Sequence, residues 1–233
     1  MNTPLKSGIY AIIDGDRLGL AARPDTRPPV QLLRRYAEAA AEAGAVAVQL
    51  RLKHVPPGHP LWLTTLNALR RALGGALPVV ANDNTAAAVA AHVGLHLGQQ
   101  DGDPQAARQQ LAAGTLLGRS THSIAQVLAA QSLSLDYLGF GPLRATATKA
   151  DHAPPVGLLA LAEAAAASAL PVVAIGGLAG DDIAAVRAAG AHAMAVIGAW
   201  LGPPGDPHPP AVAGERLAQL VAAWRNHPGR LDL

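Results

Sequence analysis

The chain contains no cysteine. That excludes disulfide staples, a thiolate nucleophile, and zinc or iron–sulfur centres held through sulfur. Aromatic residues make up only 3% of the 233 positions, so the core must be assembled chiefly from Ala, Val, Leu and Ile. Long basic runs are missing as well: 18 basic side chains stand against 16 acidic ones, and none of the Lys/Arg runs exceeds two residues. A surface for nucleic acid or an anionic membrane needs a denser basic stripe than this. The most apolar segment, residues 157–201, is interrupted by Glu163, Pro171, Asp181, Asp182 and Arg187, which argues against a membrane span. The opening MNTPLKSGIYAIID has no charged segment followed by an apolar stretch, so no secretory leader is expected and the expected location is cytoplasmic.

Half of the residues are hydrophobic, enough for a sizeable core. Their arrangement is clearest from Val79 to Asp103. The run Pro78–Ala81 ends in Asn82 and Asp83, and the run Val93–Leu97 ends in Gly98-Gln99-Gln100-Asp101. The Ala-rich stretch between them favours a helix. A short strand–helix–strand crossover puts its two strands side by side and parallel, about 4.8 Å apart. Asp83 and Asp101 then share one edge of the sheet. Two carboxylates at neighbouring strand ends, flanked by Asn, Gln and His, suit a Mg²⁺ ion that keeps part of its water shell and also holds a substrate phosphate.

The same alternation runs along the whole chain. Further strands are expected at Gly8–Asp14, Ala45–Arg51, Thr115–Gly118, Leu135–Leu138, Pro171–Ile175 and His192–Ile197. Helical patterns are expected at Val30–Ala43, Leu61–Leu73, Ser123–Gln131, Pro155–Ala167 and Asp181–Ala189, and in a final amphipathic segment after the Pro-rich break at 202–210. With seven helices placed among eight strands, the pattern is taken as eight strands alternating with eight helices. That predicts an α/β fold, a (β/α)₈ TIM barrel formed by residues 1–233 as one domain.

In such a barrel the active site lies at the C-terminal ends of the strands, where the polar residues gather. Gln49, Arg51 and Lys53 alternate, so they face one side of their strand while it lasts. With Asp83 and Asp101 they make sense as the cationic half of a pyrophosphate clamp. Ser120, Thr121 and Ser123 follow the fifth strand and can either cap a helix or meet a phosphate. The loop 139–149, with its hydroxyls and Lys149, is either an ordinary Gly/Pro loop or one suited to closure over an anion. Gly176 and Gly177 either allow backbone N–H groups close to a phosphate or simply serve a tight turn that needs glycine. His96 and His122 are lone histidines near the expected mouth, a pattern more often structural than catalytic, and the other histidines show no metal-ligand spacing. Together these residues suggest two anion sites, one of metal and cations and one of backbone amides.

The segments YAIID (10–14), VQLRLK (48–53), VVANDN (79–84), GLHLGQQD (94–101), LLGRSTHS (116–123), DYLGFGPLRATATK (136–149) and PVVAIGGL (171–178) resemble the thiamine-phosphate synthase family, in family order and over nearly the whole chain. The resemblance implies a transferase of thiamine biosynthesis built on a (β/α)₈ barrel. Such an enzyme joins 4-amino-2-methyl-5-hydroxymethylpyrimidine diphosphate to 4-methyl-5-(2-phosphoethyl)thiazole, plain or carboxylated. It implies Mg²⁺ on Asp83 and Asp101, and pyrophosphate on Arg51, Lys53, Asn82, Ser120 and Lys149, with Arg51, Lys53, Ser120 and Lys149 serving catalysis. By the same resemblance Gln49 and His96 lie near the pyrimidine, Thr146 and Thr148 line the closing loop, and Gly177, Ile197 and Gly198 meet the thiazole phosphate. The implied chemistry is a dissociative displacement that needs charge stabilisation and alignment rather than a protein nucleophile. The sequence departs from the family pattern at Leu52, Asn84, Arg144, Ala147 and Gly198. The rival readings are a thiazole tautomerase on the same barrel, a sugar-phosphate isomerase with Asp14 as its base, and a degenerate barrel that binds phosphate ligands without turnover. The expected partners are small-molecule substrates, not nucleic acid or membrane. Oligomeric state is left open, a homodimer among the options.

Overall fold

A strand buried on both faces needs an apolar run without polar alternation, and all seven residues of β1 (Gly8–Asp14) are buried. The computed structural model describes residues 4–20, 30–145 and 154–229. After β1 come β2 (Ala47–Arg51), β3 (Val79–Asn82), β4 (Gly94–Leu97), β5 (Leu117–Thr121), β6 (Tyr137–Phe140), β7 (Val172–Ala174) and β8 (Ala193–Val196). Each pairs in parallel with the next, and β8 pairs with β1, which closes the barrel in sequence order. The α/β barrel expected from the sequence is the fold observed.

Nine α-helices surround it among the described residues: α1 (Val30–Glu42), α2 (Pro60–Leu73), α3 (Thr85–Ala91), α4 (Pro104–Gln110), α5 (Ile124–Ala130), α6 (Gly157–Ala167), α7 (Ile183–Ala188), α8 (Gly198–Leu201) and α9 (Pro210–Asn226). The expected count of eight is therefore corrected by one. The extra helix is the single turn α8, which follows β8 directly and precedes the Pro-rich segment leading into α9. The pattern also left α4 unplaced between the fourth and fifth strands. Asp103 caps α4 by accepting a hydrogen bond from Gln105 N at 2.9 Å, and Pro104 occupies the first turn. No helix among the described residues is long and apolar enough to cross a membrane.

Strand alternation divides the interior into two shells. Ile9, Ala11 and Ile13 of β1 face the helices, as do Val48 and Leu50 of β2. Tyr10 and Ile12 face inward with Ala47, Val80, Tyr137, Val173, Ala193 and Ala195. The inward shell is thus apolar toward the N-terminal end. Toward the C-terminal end the same inward rows continue as Asp14, Gln49, Arg51, Asn82, His96 and Ser120. The strand register that sets the core therefore also aims these side chains into the barrel.

Candidate active site

Asp14 and Arg51 end adjacent strands and stand opposite each other in the β1–β2 register. Arg51 Nη1 donates to Asp14 Oδ2 at 2.6 Å, with both side chains at most 5% exposed. Asp14 Oδ1 accepts from the backbone N–H groups of Asp16 and Arg17, both at 3.1 Å, and so holds the turn after β1. A second carboxylate, Asp16, lies 3.8 Å from Arg51 Nη1. The strand ends at Arg51. Lys53 lies two residues beyond and is exposed, so the inward alternation from Gln49 through Arg51 stops before it.

The two candidate metal ligands meet around Gly98. Asp83 Oδ1 accepts from Gly98 N at 3.0 Å. A Cβ built on Gly98 would stand 2.2 Å from Asp101 Oδ2 and 3.9 Å from Asp83 Oδ1, so the space beside this glycine is shared by both carboxylates. Asp83 adopts a positive φ of 58°, unusual for a residue other than glycine. Asp101 is exposed and Asp83 half-buried. Two hard carboxylates, one exposed and one half-buried, fit an ion that takes its remaining ligands from water and phosphate. Among the described residues no group of three or more His, Cys, Asp or Glu side chains gathers, so such an ion would depend on those other oxygens.

From Asp83 a row of hydrogen-bonded polar side chains runs into the barrel. Ser120 Oγ lies 2.9 Å from His96 Nε2, and His96 Nδ1 lies 3.0 Å from Tyr137 Oη. Tyr137 Oη is 3.0 Å from Tyr10 Oη, which donates to Gln49 Oε1 at 3.0 Å. Gln49 Nε2 donates to Asn82 Oδ1 at 2.6 Å, and Asn82 Nδ2 donates to Asp83 Oδ2. Gln49, Asn82, Asp83, His96 and Ser120 are therefore members of one connected set. Tyr10 and Tyr137 complete it, although sequence reasoning gave neither a role. The available signal is that a buried phenol must find a hydrogen-bond partner. Burial pushes both phenols above their ordinary range, and for Tyr10 the neighbouring Tyr137 adds to the shift.

The strand carrying Ser120 is a correction. β5 was expected to stop at Gly118, but it continues through Thr121, paired with Leu138, Gly139 and Phe140 of β6. Ser120 and Thr121 are thus strand residues. The cap of α5 is Ser123, whose hydroxyl accepts from Gln126 N at 3.3 Å. His122 is tied to the backbone, with Nδ1 against Gly141 O.

At the second expected anion site, Gly176 and Gly177 have φ values of 103° and 67°. The start of the β6–α6 loop packs directly on them: Leu143 N donates to Ile175 O and Arg144 N to Gly176 O, both at 3.0 Å. A Cβ on Gly177 would stand 2.6 Å from Ala145 O, so the glycine is needed for this close approach. Arg144 pairs with the buried Asp182, fixing the loop to the turn before α7. Ile197 precedes α8, and the guanidinium of Arg17 lies beside Gly198. Two further departures from the family pattern have structural roles. Leu52 is buried in the core, and Asn84 caps α3 by accepting from Ala87 N at 3.0 Å while donating to Pro57 O. Thr146, Thr148 and Lys149 lie outside the described residues.

A closed parallel barrel with paired acids, a buried arginine and amide and hydroxyl groups at its C-terminal mouth defines a phosphate-handling (β/α)₈ enzyme. The thiamine monophosphate synthase family profile (TMP-TENI) matches residues 24–200. The chain belongs to that family. It is 44% identical over 166 residues to a thiamine-phosphate synthase of Anaeromyxobacter dehalogenans, covering 71% of this chain and 74% of that one. It is 36% identical over 229 residues to the Myxococcus xanthus thiamine-phosphate synthase, covering 96% and 97%. Among solved structures, the thiamine phosphate pyrophosphorylase from Pyrococcus furiosus superposes with a TM-score of 0.72 at 28% identity, covering 94% and 96%. The expected transferase class agrees with this membership.

Proposed function

We propose that the chain condenses 4-amino-2-methyl-5-hydroxymethylpyrimidine diphosphate with 4-methyl-5-(2-phosphoethyl)thiazole, giving thiamine phosphate and pyrophosphate. The observation that supports this most directly is the convergence of Asp83 and Asp101 on the space beside Gly98, at the end of a polar row reaching Gln49 and Ser120. In the reaction the bond from the pyrimidine methylene carbon to the diphosphate oxygen breaks. The thiazole nitrogen then forms the new bond to that carbon. No protein nucleophile is required, and the catalytic demand is for charge stabilisation and alignment.

Mg²⁺ bound at Asp83 and Asp101 would neutralise part of the leaving diphosphate's charge. Arg51 is held in place by Asp14 and presents a fixed cation at the mouth, while Lys53 supplies a mobile one. Asn82 and Ser120 offer polar contacts to the diphosphate, and the family resemblance adds Lys149 as a further cation for it. Gln49 and His96 form the floor on which the pyrimidine rests. Gly177, Ile197 and Gly198 receive the thiazole phosphate, and the family resemblance adds Thr146 and Thr148 to that contact. Both substrates are small phosphate esters, which suits a cytoplasmic enzyme.

The test is product formation from both substrates with Mg²⁺, repeated with EDTA and with Asp101→Ala. Thiamine phosphate formed only with metal, and lost in a folded Asp101→Ala variant, is the expected outcome. Undiminished turnover of Asp101→Ala in the presence of EDTA would overturn the metal assignment. No product from the folded wild type would overturn the synthase reading.

A further inference from the structure

The row of side chains from Asp83 to Ser120 has a direction as well as a path. An ionised carboxylate can only accept hydrogen bonds, so Asn82 must turn its Nδ2 toward Asp83 Oδ2 and its Oδ1 toward Gln49. Gln49 must then present Nε2 to Asn82 and Oε1 to Tyr10. The Tyr10 hydroxyl spends its single hydrogen on Gln49, so Tyr10 Oη can only accept from Tyr137. Tyr137 has likewise spent its hydrogen, so its oxygen accepts from His96 Nδ1. A neutral imidazole with hydrogen on Nδ1 has a bare Nε2, and Ser120 Oγ, 2.9 Å away, donates to it. As far as His96 Nδ1 each orientation follows from the one before, starting from a single negative charge, and the last link holds for the neutral ring.

The interior is built to accommodate this row. Gly118 faces inward beside Tyr137, and a Cβ there would stand 2.1 Å from the ring's Cζ. His96 stacks on Tyr137 with ring centroids 5.5 Å apart. Any larger residue at position 118 would displace the phenol that joins the two halves of the chain.

We propose that Tyr10 and Tyr137 are positioning residues that transmit the negative charge of Asp83 across the barrel, holding His96 with its hydrogen on Nδ1 and the Ser120 hydroxyl turned toward His96 Nε2. Ser120 therefore offers lone pairs, not a hydrogen, to the mouth of the ligand-free enzyme. It is set to receive an N–H or O–H group, and a phosphate oxygen can be bound there only if the hydroxyl reverses. This orientation does not depend on turnover. Only its bearing on the diphosphate rests on the function proposed above.

The experiment is a long-range ¹H–¹⁵N correlation of the full chain, with the histidine rings assigned through the backbone of the wild type. The expected result is a His96 ring with a protonated Nδ1 and a bare Nε2, its two nitrogen resonances far apart. Tyr10→Phe leaves the His96–Tyr137 contact in place but cuts the link to Gln49. In that variant the two nitrogen shifts should move toward each other as both tautomers become populated. Hydrogen on Nε2 in the wild type, alone or together with Nδ1, would overturn the proposal. So would a folded Tyr10→Phe variant whose His96 shifts are unchanged, since the tautomer would then be set by Tyr137 locally. An inactive protein that keeps the Nδ1–H ring would count against the synthase reading and leave the chain of orientations standing.

Discussion

Asp14→Ala should be among the most destabilising single substitutions in the mouth of the barrel. It leaves the Arg51 guanidinium buried beside an uncharged methyl group, where a carboxylate stood 2.6 Å away. Removing one member of a buried ion pair costs about 3–5 kcal/mol. Asp16, 3.8 Å from the same nitrogen, is a partial replacement partner and draws the expectation to the lower end of that range. A loss of about 3 kcal/mol is a large share of the ~5–15 kcal/mol that holds a typical domain together. At roughly 2–4 °C per kcal/mol for a chain of this size, the melting temperature should fall by about 6–12 °C. Asp14→Asn separates charge from turn. It keeps an oxygen for the N–H groups of Asp16 and Arg17, so a charge-dominated effect leaves Asn nearly as damaging as Ala. The decisive measurement is a double-mutant cycle by urea denaturation. Asp14→Ala with Arg51→Ala should lose less than the two single losses combined, by more than about 1 kcal/mol. Additive losses, or an Asp14→Ala variant within about 0.5 kcal/mol of wild type, would refute the argument that the pair is buried and mutually dependent.

Gly98→Ala places a methyl group where Asp101 Oδ2 now lies, and the exposed carboxylate can swing away. The fold should persist while the Mg²⁺ concentration for half-maximal activity rises by roughly tenfold; an unchanged metal titration would count against the shared space beside Gly98. Lys149→Ala should weaken binding of the pyrimidine diphosphate by about 1.5–3 kcal/mol and spare the thiazole phosphate, and equal losses for both substrates would remove Lys149 from the diphosphate. The buried phenols Tyr10 and Tyr137 have folded pKa values raised above their unfolded ones, so the stability they contribute is complete below pH about 10. It is lost as pH climbs through the raised values, and Tyr10→Phe should flatten that alkaline decline in a melting-temperature series.

The strand ends that matter most were legible because apolar runs stop abruptly in acids and amides, as at Val79–Asp83 and Gly94–Asp101. β5 was misjudged for the opposite reason. Arg119, Ser120 and Thr121 are polar and read as loop, but pairing with β6 outweighs their composition and carries the strand past them. α4 escaped because its seven residues bury only Pro104 and Ala107 and show no apolar stripe. Asp14 reads in the sequence as a strand-end acid and the candidate base of a rival isomerase, since its pairing with Arg51 depends on the β1–β2 register. The tyrosines were hardest, because a sparse aromatic in a strand reads as core and its hydroxyl is the only hint of another role.

Closure of the ring has a consequence for synthesis. Gly8, Ile9, Tyr10 and Ala11 pair with Ala193, Met194, Ala195 and Val196, so the first strand of the barrel to be made waits for the last. Until then a nascent chain exposes an unsatisfied β1 edge, and α9, which packs on α1 and β1, has yet to be made. The half of the barrel bearing Asp14, Arg51 and Asp83 can assemble early but cannot be sealed. Sealing depends on long-range contacts of the kind that slow folding, and any stall in translation before Val196 should leave a partly built barrel open to chaperones and proteases.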